Sequence, residues 1–301
     1  MAGYRIGGVE CAPRPVEPGL YLVATPIGNL GDVTLRALET LASVAIIACE
    51  DTRVTARLLA RYAITTPMTP YHEHNADRAG PKLVEMLLGG ASVALVSDAG
   101  TPLVSDPGRR LVEAARAAGI AVHPVPGASA VLAALTASGL AGDSFLFEGF
   151  LPNRAGQRRR RLEQLREVPA NLVFFESPNR LAASLADIAA TLGADRRAAV
   201  CRELTKLHEE VRSGTLGELA AHYGIQPVRG EIVVVVGPPA APAAATAQDA
   251  DALLERLVPA HGLSRAAALA AAETGLARRD LYQRALRLAG QAGRPARKPG
   301  R

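Results

Sequence analysis

Eight short runs dominated by Val, Ile, Leu and Phe recur along the chain, separated by segments with helical period. The runs are LYLVA (20–24), VAIIAC (44–49), SVALVS (92–97), IAVHPV (120–125), FLFEGF (145–150), NLVFFE (171–176), RAAVCRE (197–203) and GEIVVVV (230–236). Apolar residues run nearly unbroken through most of them, so both faces of each strand need cover. DVTLRALETLA (32–42), GRRLVEAARAA (108–118) and RLAASLADIAATL (180–192) are helices that can provide it. The pattern predicts an α/β architecture with largely parallel, doubly covered sheets. Its length calls for two α/β domains, 19–140 and 141–237, joined between Gly139 and Asp143.

The flanking segments differ in composition. Residues 1–18 read as a loop-like, disordered arm, and 238–249, rich in Pro and Ala, read as a stiff linker. Residues 250–290 read as three short helices, the first two ended by Gly262 and Gly275, and 291–301 as a basic tail. No apolar run approaches the roughly 18 residues that cross a bilayer, and the start lacks the apolar core of a signal peptide. Cys11, Cys49 and Cys201 lie far apart with no CxxC pair. That favours a reduced, cytoplasmic protein with inert thiols and no structural zinc. YHEHN (71–75) holds two His around Glu73 but no third ligand at a usable spacing, so RNA contact or loop structure is expected there rather than metal.

Net charge is +5, and its distribution is uneven. Arg158, Arg159, Arg160 and Arg161 are consecutive, and Arg265, Arg278, Arg279, Arg284 and Arg287 fall in the helical segment. Clusters of this kind fit a phosphate backbone; for the helices, a packing cap is the alternative.

The loops after the strands are polar and stiff. In ATPIGNLGDVTLRA (24–37), Gly28 and Gly31 make a turn around Asn29 and Asp32 is placed to cap a helix. The stretch is neither GxGxxG nor a phosphate-cradling GK[ST] loop. SDAGTPLVSDPG (97–108), PVPGASAVLAALTASGL (124–140) and FFESPNRL (174–181) come after later strands. Ligands of open α/β sheets sit beyond the carboxyl ends of the strands, so these loops describe one site. There Asp98 can accept from ribose hydroxyls, Gly100, Gly127 and Ala128 allow close backbone approach, and Pro102 and Pro107 stiffen the wall. CEDTRVTARLL (49–59) and CRELTKLHEE (201–210) each put charges at a strand–helix junction: Glu50, Asp51 and Arg53, then Arg202, Glu203 and Lys206. Glu203 beside Lys206 is a candidate acid/base or substrate-orienting pair, whereas Glu209 and Glu210 read as solvated or paired.

In this order, TPIGNLGD, CEDTR, SDAGTPLVSDPG, PGASA, FEGFLP, FFESPNR and RELTK resemble the tetrapyrrole methylase-like (class III) S-adenosylmethionine-dependent methyltransferases. Within them they are most similar to the bacterial ribosomal RNA small subunit methyltransferase I family, from about Leu20 to Leu288. Ser97-Asp98-Ala99 stands where the cobalamin and sirohaem branch carries a GDP-type motif, and GLSRAAALAAAETGLARRDLY looks like the helical extension of the rRNA enzymes. The resemblance implies two α/β domains with S-adenosylmethionine in their cleft, and a homodimer. It further implies methylation of a cytidine 2′-hydroxyl in 16S rRNA, in the decoding region of the small ribosomal subunit, with RNA rather than DNA as partner. By position, Thr25, Pro26, Asp98, Thr101, Ser129, Ala130 and Glu176 match cofactor contacts. Glu203, Lys206, Glu50 and Asp51 are the candidate catalytic groups, and no metal is called for. Asn29, Arg53, Arg180, Arg202 and the Arg158–Arg161 run are candidate substrate contacts. The competing readings are a small-molecule tetrapyrrole (precorrin-type) methyltransferase and an RNA-binding assembly factor with a vestigial cofactor site.

Overall fold

The computed structural model describes residues 3–104, 108–140, 142–240 and 247–292. Pro107, Ala141 at the expected domain join, half of the linker (241–246) and nearly all of the basic tail lie outside the described residues. The chain divides into two compact units, Met1–Pro239 and Ala240–Arg301.

The first unit begins with an antiparallel hairpin, β1 (Tyr4–Ile6) and β2 (Val9–Cys11), turned through Gly7 and Gly8 at φ 55° and 87°. The expectation of a structureless arm fails here because two adjacent glycines permit the tight turn. Tyr4 then joins the core, and the Arg5 N–H donates to the Tyr62 carbonyl at 2.8 Å.

Next come β3 (Gly19–Val23), α1 (Leu35–Ser43), β4 (Ile46–Cys49), α2 (Thr52–Arg61), β5 (Met68–Pro70), α3 (Ala76–Leu88), β6 (Ser92–Val96), α4 (Arg109–Ala117) and β7 (Val122–Val125). Their strands form a parallel sheet of order β5-β4-β6-β3-β7. Separate apolar clusters cover its two faces, one built on Leu38, Leu41 and Ile47, the other on Leu20, Leu83 and Leu111. α1 is capped by Thr34, whose hydroxyl accepts from the Ala37 N–H, and not by Asp32, which lies in a short 3-10 turn, Leu30–Asp32.

After α5 (Ala130–Ala137), a second sheet forms from β8 (Phe145–Phe150), α6 (Ala155–Leu165), β9 (Asn171–Glu176), α7 (Pro178–Leu192), β10 (Arg197–Arg202), β11 (Glu210–Thr215), α8 (Leu216–Ile225) and β12 (Ile232–Val236). Its order is β11-β10-β12-β9-β8, and only β8–β9 is parallel. This corrects the expectation of largely parallel sheets. A parallel neighbour needs a crossover, but β10 turns straight into β11 through residues 203–209, so that pair is antiparallel. Continuous apolar runs report burial of both faces, which helices α6, α7 and α8 provide on one side. On the other, α5 packs Val131, Ala134 and Leu135 against Val173, Ala199 and Val233, joining the two halves through a shared core.

The second unit contains α9 (Ala247–Thr274) and α10 (Arg278–Ala292). Gly262, at φ 72°, breaks α9 into two helical segments, and Gly275 has φ 71° after its end. Leu254, Ala266, Ala270, Leu281 and Ala285 form its own small core. Arg284 is engaged inside it, donating to both carboxylate oxygens of Asp251 at 2.8 and 2.7 Å.

Candidate active site

A cavity of about 420 Å³ in the first unit opens beside the loops after β3, β6, β7 and β9. Thr25 staples two of these loops. Its N–H and carbonyl pair with Gly100 at 2.9 and 3.0 Å, and its hydroxyl donates to the Ser97 carbonyl at 3.2 Å. Gly100 sits at φ 79°, a conformation glycine adopts without strain. Thr101 then donates to the Ala128 carbonyl at 3.2 Å, and Ser129 caps α5. Gly127 is small for a different reason: a Cβ there would meet that of Ala24 at 3.0 Å.

Asp98, Thr101, Ser129, Ala130 and Glu176, drawn from both halves of the unit, line the cavity together. Thr25 and Pro26 are buried behind it, and their neighbour Ile27 is the residue that reaches the wall. The Glu176 carboxylate is committed internally, accepting from Ser184 Oγ at 2.5 Å and the Ser177 N–H at 2.8 Å, with Arg180 Nε at 3.3 Å. Arg180 also donates to the Leu151 carbonyl at 2.6 Å, so this guanidinium holds the wall rather than facing substrate.

The acidic groups fall into two sets. Asp51 caps α2 and binds Arg53 through both oxygens, with a shortest contact of 2.6 Å. The hydrogen bonds from Arg53 pull its carboxyl down to about 2, which makes Asp51 a poor base. Its backbone N–H donates to Asp98 Oδ1 at 3.0 Å. Burial, and to a lesser degree the nearby Asp51 charge, raises the Asp98 carboxyl, while that donated hydrogen bond opposes the rise. Glu50 is raised by burial and then by Asp98.

The second set is a bridge. Lys206 Nζ donates to Glu203 at 2.8 Å and to Glu231 at 3.0 Å, and the Glu231 N–H donates to Glu203 at 2.9 Å. The Lys206 hydrogen bond, then that of the Glu231 backbone, lowers the Glu203 carboxyl. Burial works against the Lys206 charge, but its two carboxylate partners outweigh it and raise its pKa. The segment is a strand–turn–strand rather than the strand–helix junction expected. Glu203 and Thr205 both sit in the left-handed region, at φ 52° and 67°, around Leu204, which is buried on the cavity wall. Neither Glu203 nor Lys206 lines the cavity, but Glu231 does.

The expected substrate contacts divide in the same way. Arg158 is 5% exposed, bound to Asp187 at 2.5 Å and to the Asn153 carbonyl; it belongs to the core, because α6 packs that face on α7. Arg161 pairs with Glu148 at 2.5 and 2.7 Å, and Arg202 with Glu210 at 2.9 Å. Arg53 is tied to Asp51, and Asn29 accepts from the Gly31 N–H. Arg159 is exposed but lies within 3.7 Å of Asp187 on α7, and Arg160 is exposed on the outer face of α6. Among the described residues, no group of three or more His, Cys, Asp or Glu is arranged to hold a metal ion.

Glu231, Phe150, Phe175 and Cys201 also line the cavity, although the sequence pattern does not single them out. Because β12 runs antiparallel to β9 and β10, pairing Ile232 with Glu176 and Arg202, its start lies at their carboxyl ends. A search confined to carboxyl ends of strands overlooks it. Burial pushes the Cys201 thiol up to about 11, leaving it protonated and unreactive at neutral pH.

The fold is that of a methylase. Residues 19–220 match the family of Tetrapyrrole (Corrin/Porphyrin) Methylases, and residues 244–289 match the RsmI C-terminal HTH domain. The chain is 59% identical over 289 residues to the ribosomal RNA small subunit methyltransferase I of Mesorhizobium japonicum, covering 96% of this chain and 98% of that one. It is 48% identical to the protein of the same name from Pseudomonas aeruginosa, over 91% and 98% of the two chains. Among solved structures, uroporphyrin-III C-methyl transferase from Thermus thermophilus, complexed with S-adenosyl homocysteine, shares the fold with a TM-score of 0.53 at 22% identity. That match covers 73% of this chain and 97% of the other. The chain therefore belongs to the tetrapyrrole methylases and, within them, to the ribosomal RNA small subunit methyltransferase I family.

Proposed function

We propose that the protein transfers a methyl group from S-adenosylmethionine to the 2′-hydroxyl of a cytidine in 16S rRNA of the small ribosomal subunit. The observation that carries this reading is the joining of both matches, methylase and RsmI C-terminal HTH domain, in one chain 59% identical to an enzyme named for ribosomal RNA. No helix among the described residues is long and apolar enough to cross a membrane, which is compatible with a cytoplasmic ribosomal substrate. A homodimer belongs to the same proposal.

The cavity fits such a cofactor. Its volume is within the range of small-molecule sites. Val131, Phe175 and Val233 offer apolar surface to an adenine, while Asp98, Thr101 and Ser129 offer polar groups to a ribose and an amino acid moiety. The cofactor carries no phosphate, so the missing phosphate loop is no obstacle. When bound, it supplies a methyl group activated by a sulfonium.

What the chain contributes is placement and charge. Holding the ribose oxygen in line with the methyl can account for about 7–11 kcal/mol of the barrier. Glu231, a cavity-lining residue whose carboxylate accepts from Lys206, is the group we assign to receive the 2′-hydroxyl proton, with the ammonium keeping it ionised and able to accept. Lys206 places a positive charge beside it, and Glu203 holds Lys206 in position. Transfer of label from radioactive cofactor to 30S subunits or free 16S RNA, with mapping of the methylated ribose, tests the reading. Absence of any heat on titrating folded protein with S-adenosylhomocysteine would overturn it.

A further inference from the structure

Phe150 ends β8 with its ring at the cavity, yet it is 57% exposed. The chain has no Trp and only five Phe. Two others back this one. Phe175 meets Phe150 edge to face at 5.7 Å, and Phe147 meets Phe175 in the same way at 4.9 Å. The ring is thus braced from behind and open in front. An adenine would gain most from the enclosed apolar wall around Val131, Cys201 and Val233, all buried. The open ring is left to face whatever enters from solvent.

The segment immediately after Phe150 is basic. Arg161 of α6 holds both oxygens of Glu148 on β8, so the helix is fastened beside the strand that carries Phe150. Arg154, Arg159 and Arg160 are exposed in the segment so fastened. Exposed aromatic rings combined with exposed cations on the same surface are the means by which proteins hold unstacked bases of single-stranded nucleic acid. Here the Arg161–Glu148 pair fastens the segment that carries these cations to the strand that carries Phe150.

We propose that Phe150 is the stacking platform for the target nucleotide: a pyrimidine base, splayed out of the RNA, lies on its open face while its ribose enters the cavity. This rests on the RNA-methylation reading above. It assigns to Phe150 a share of substrate recognition separate from the electrostatic binding of the RNA backbone.

The test compares Phe150→Ala, Phe150→Leu and Phe150→Tyr in methyl transfer to small-subunit RNA, with S-adenosylhomocysteine affinity measured by calorimetry. Ala and Leu should lower kcat/KM for RNA by roughly 5- to 150-fold, the range base–aromatic stacking spans, and Tyr should stay within about threefold of the parent. Affinity for S-adenosylhomocysteine and the sedimentation coefficient should not change. Wild-type kcat/KM in the Leu variant would overturn the proposal. So would an equal loss of cofactor affinity, since the ring would then be packing on adenine, or a change of oligomeric state, since it would then be packing on a second copy. Parent protein that transfers no methyl to RNA overturns the methylation reading and this one with it; active parent with an indifferent Phe150→Leu overturns this one alone.

Discussion

The aliphatic stem of Lys206 lies directly on Gly28: a Cβ at position 28 would stand 2.5 Å from Lys206 Cγ and 2.8 Å from its Cε. The contact joins the loop after β3, in the first sheet, to the turn after β10, in the second. Gly28 has an ordinary negative-φ backbone, so space rather than conformation demands glycine there.

Gly28→Ala should therefore displace Lys206 from Glu203 and Glu231. Because the ammonium is held at its tip, the stem cannot swing aside without breaking at least one of these bonds. We expect a loss of about 1–2 kcal/mol by chemical denaturation, within the usual span for a point change in a packed loop. In a Lys206→Ala background the same change should be nearly neutral, because its clash is gone. Equal losses in both backgrounds would show that the two residues act independently.

The two carboxylates that flank Lys206 should respond differently to amide substitution. Glu231→Gln removes the acidic group on the cavity wall and should slow single-turnover methyl transfer roughly 10²-fold or more, the size of a general-base contribution. Glu203→Gln should leave the pH dependence of the single-turnover rate unshifted. Its acid-side stability is expected to change instead. The folded-state pKa of Glu203 is lowered, so it stabilises above its unfolded value and that stability is lost as pH falls through the folded value. Melting temperatures of parent and variant should therefore differ at pH 7, and the difference should shrink and vanish as pH falls through the lowered folded-state value. A shifted pH–rate profile in Glu203→Gln would restore it as the base.

Glu50 and Asp98 carry the opposite sign. Both carboxyls are raised, chiefly by burial, so ionising them works against folding once pH exceeds the unfolded value. Glu50→Gln should raise the melting temperature at pH 7 and leave it unchanged near pH 4 or below. Glu50 is only partly buried and solvent screens it, so a gain of about 0.5 kcal/mol at most is expected. Thermal melts at the two pH values decide the matter, and a loss at neutral pH would mean that the charged form has a stabilising partner.

The central strands of the first sheet, β3, β4 and β6, are legible in the sequence because they are buried on both faces and separated by helices. Their unbroken apolar runs read directly as parallel strands, whereas the three-residue edge strand β5 leaves no run to read. The same kind of run in β10 and β12 misleads, because burial of both faces fixes composition but not direction. Glu231 escapes notice for that reason: it precedes a strand, and only the reversed direction of β12 brings it to the cavity. β11, EVRSGT, is an edge strand with little apolar content and leaves no signal. The polar, Pro- and Gly-stiffened turns do read correctly as converging loops, and five of the seven expected cofactor residues line one cavity. Individual roles are harder to read, since whether Arg180 or Glu176 faces a ligand or braces a wall depends on partners distant in the chain.

The QRRRR run puts the same difficulty to a direct test. On α6, Arg158 faces α7 and Arg160 faces solvent, although they are two residues apart and chemically identical. Arg158→Ala would leave Asp187 without its closest buried partner and should cost about 3 kcal/mol, as breaking buried ion pairs does. Arg160→Ala should alter stability by no more than about 0.5 kcal/mol. RNA affinity should take the reverse order. Arg160→Ala should weaken binding and reduce by about one the slope of log affinity against log salt, because one phosphate contact is removed. Arg158→Ala, assayed well below its melting temperature, should retain the parent slope. Denaturant unfolding of the two variants, paired with filter binding across a salt series, measures both quantities, and an unchanged slope in Arg160→Ala would remove this face of α6 from the RNA interface.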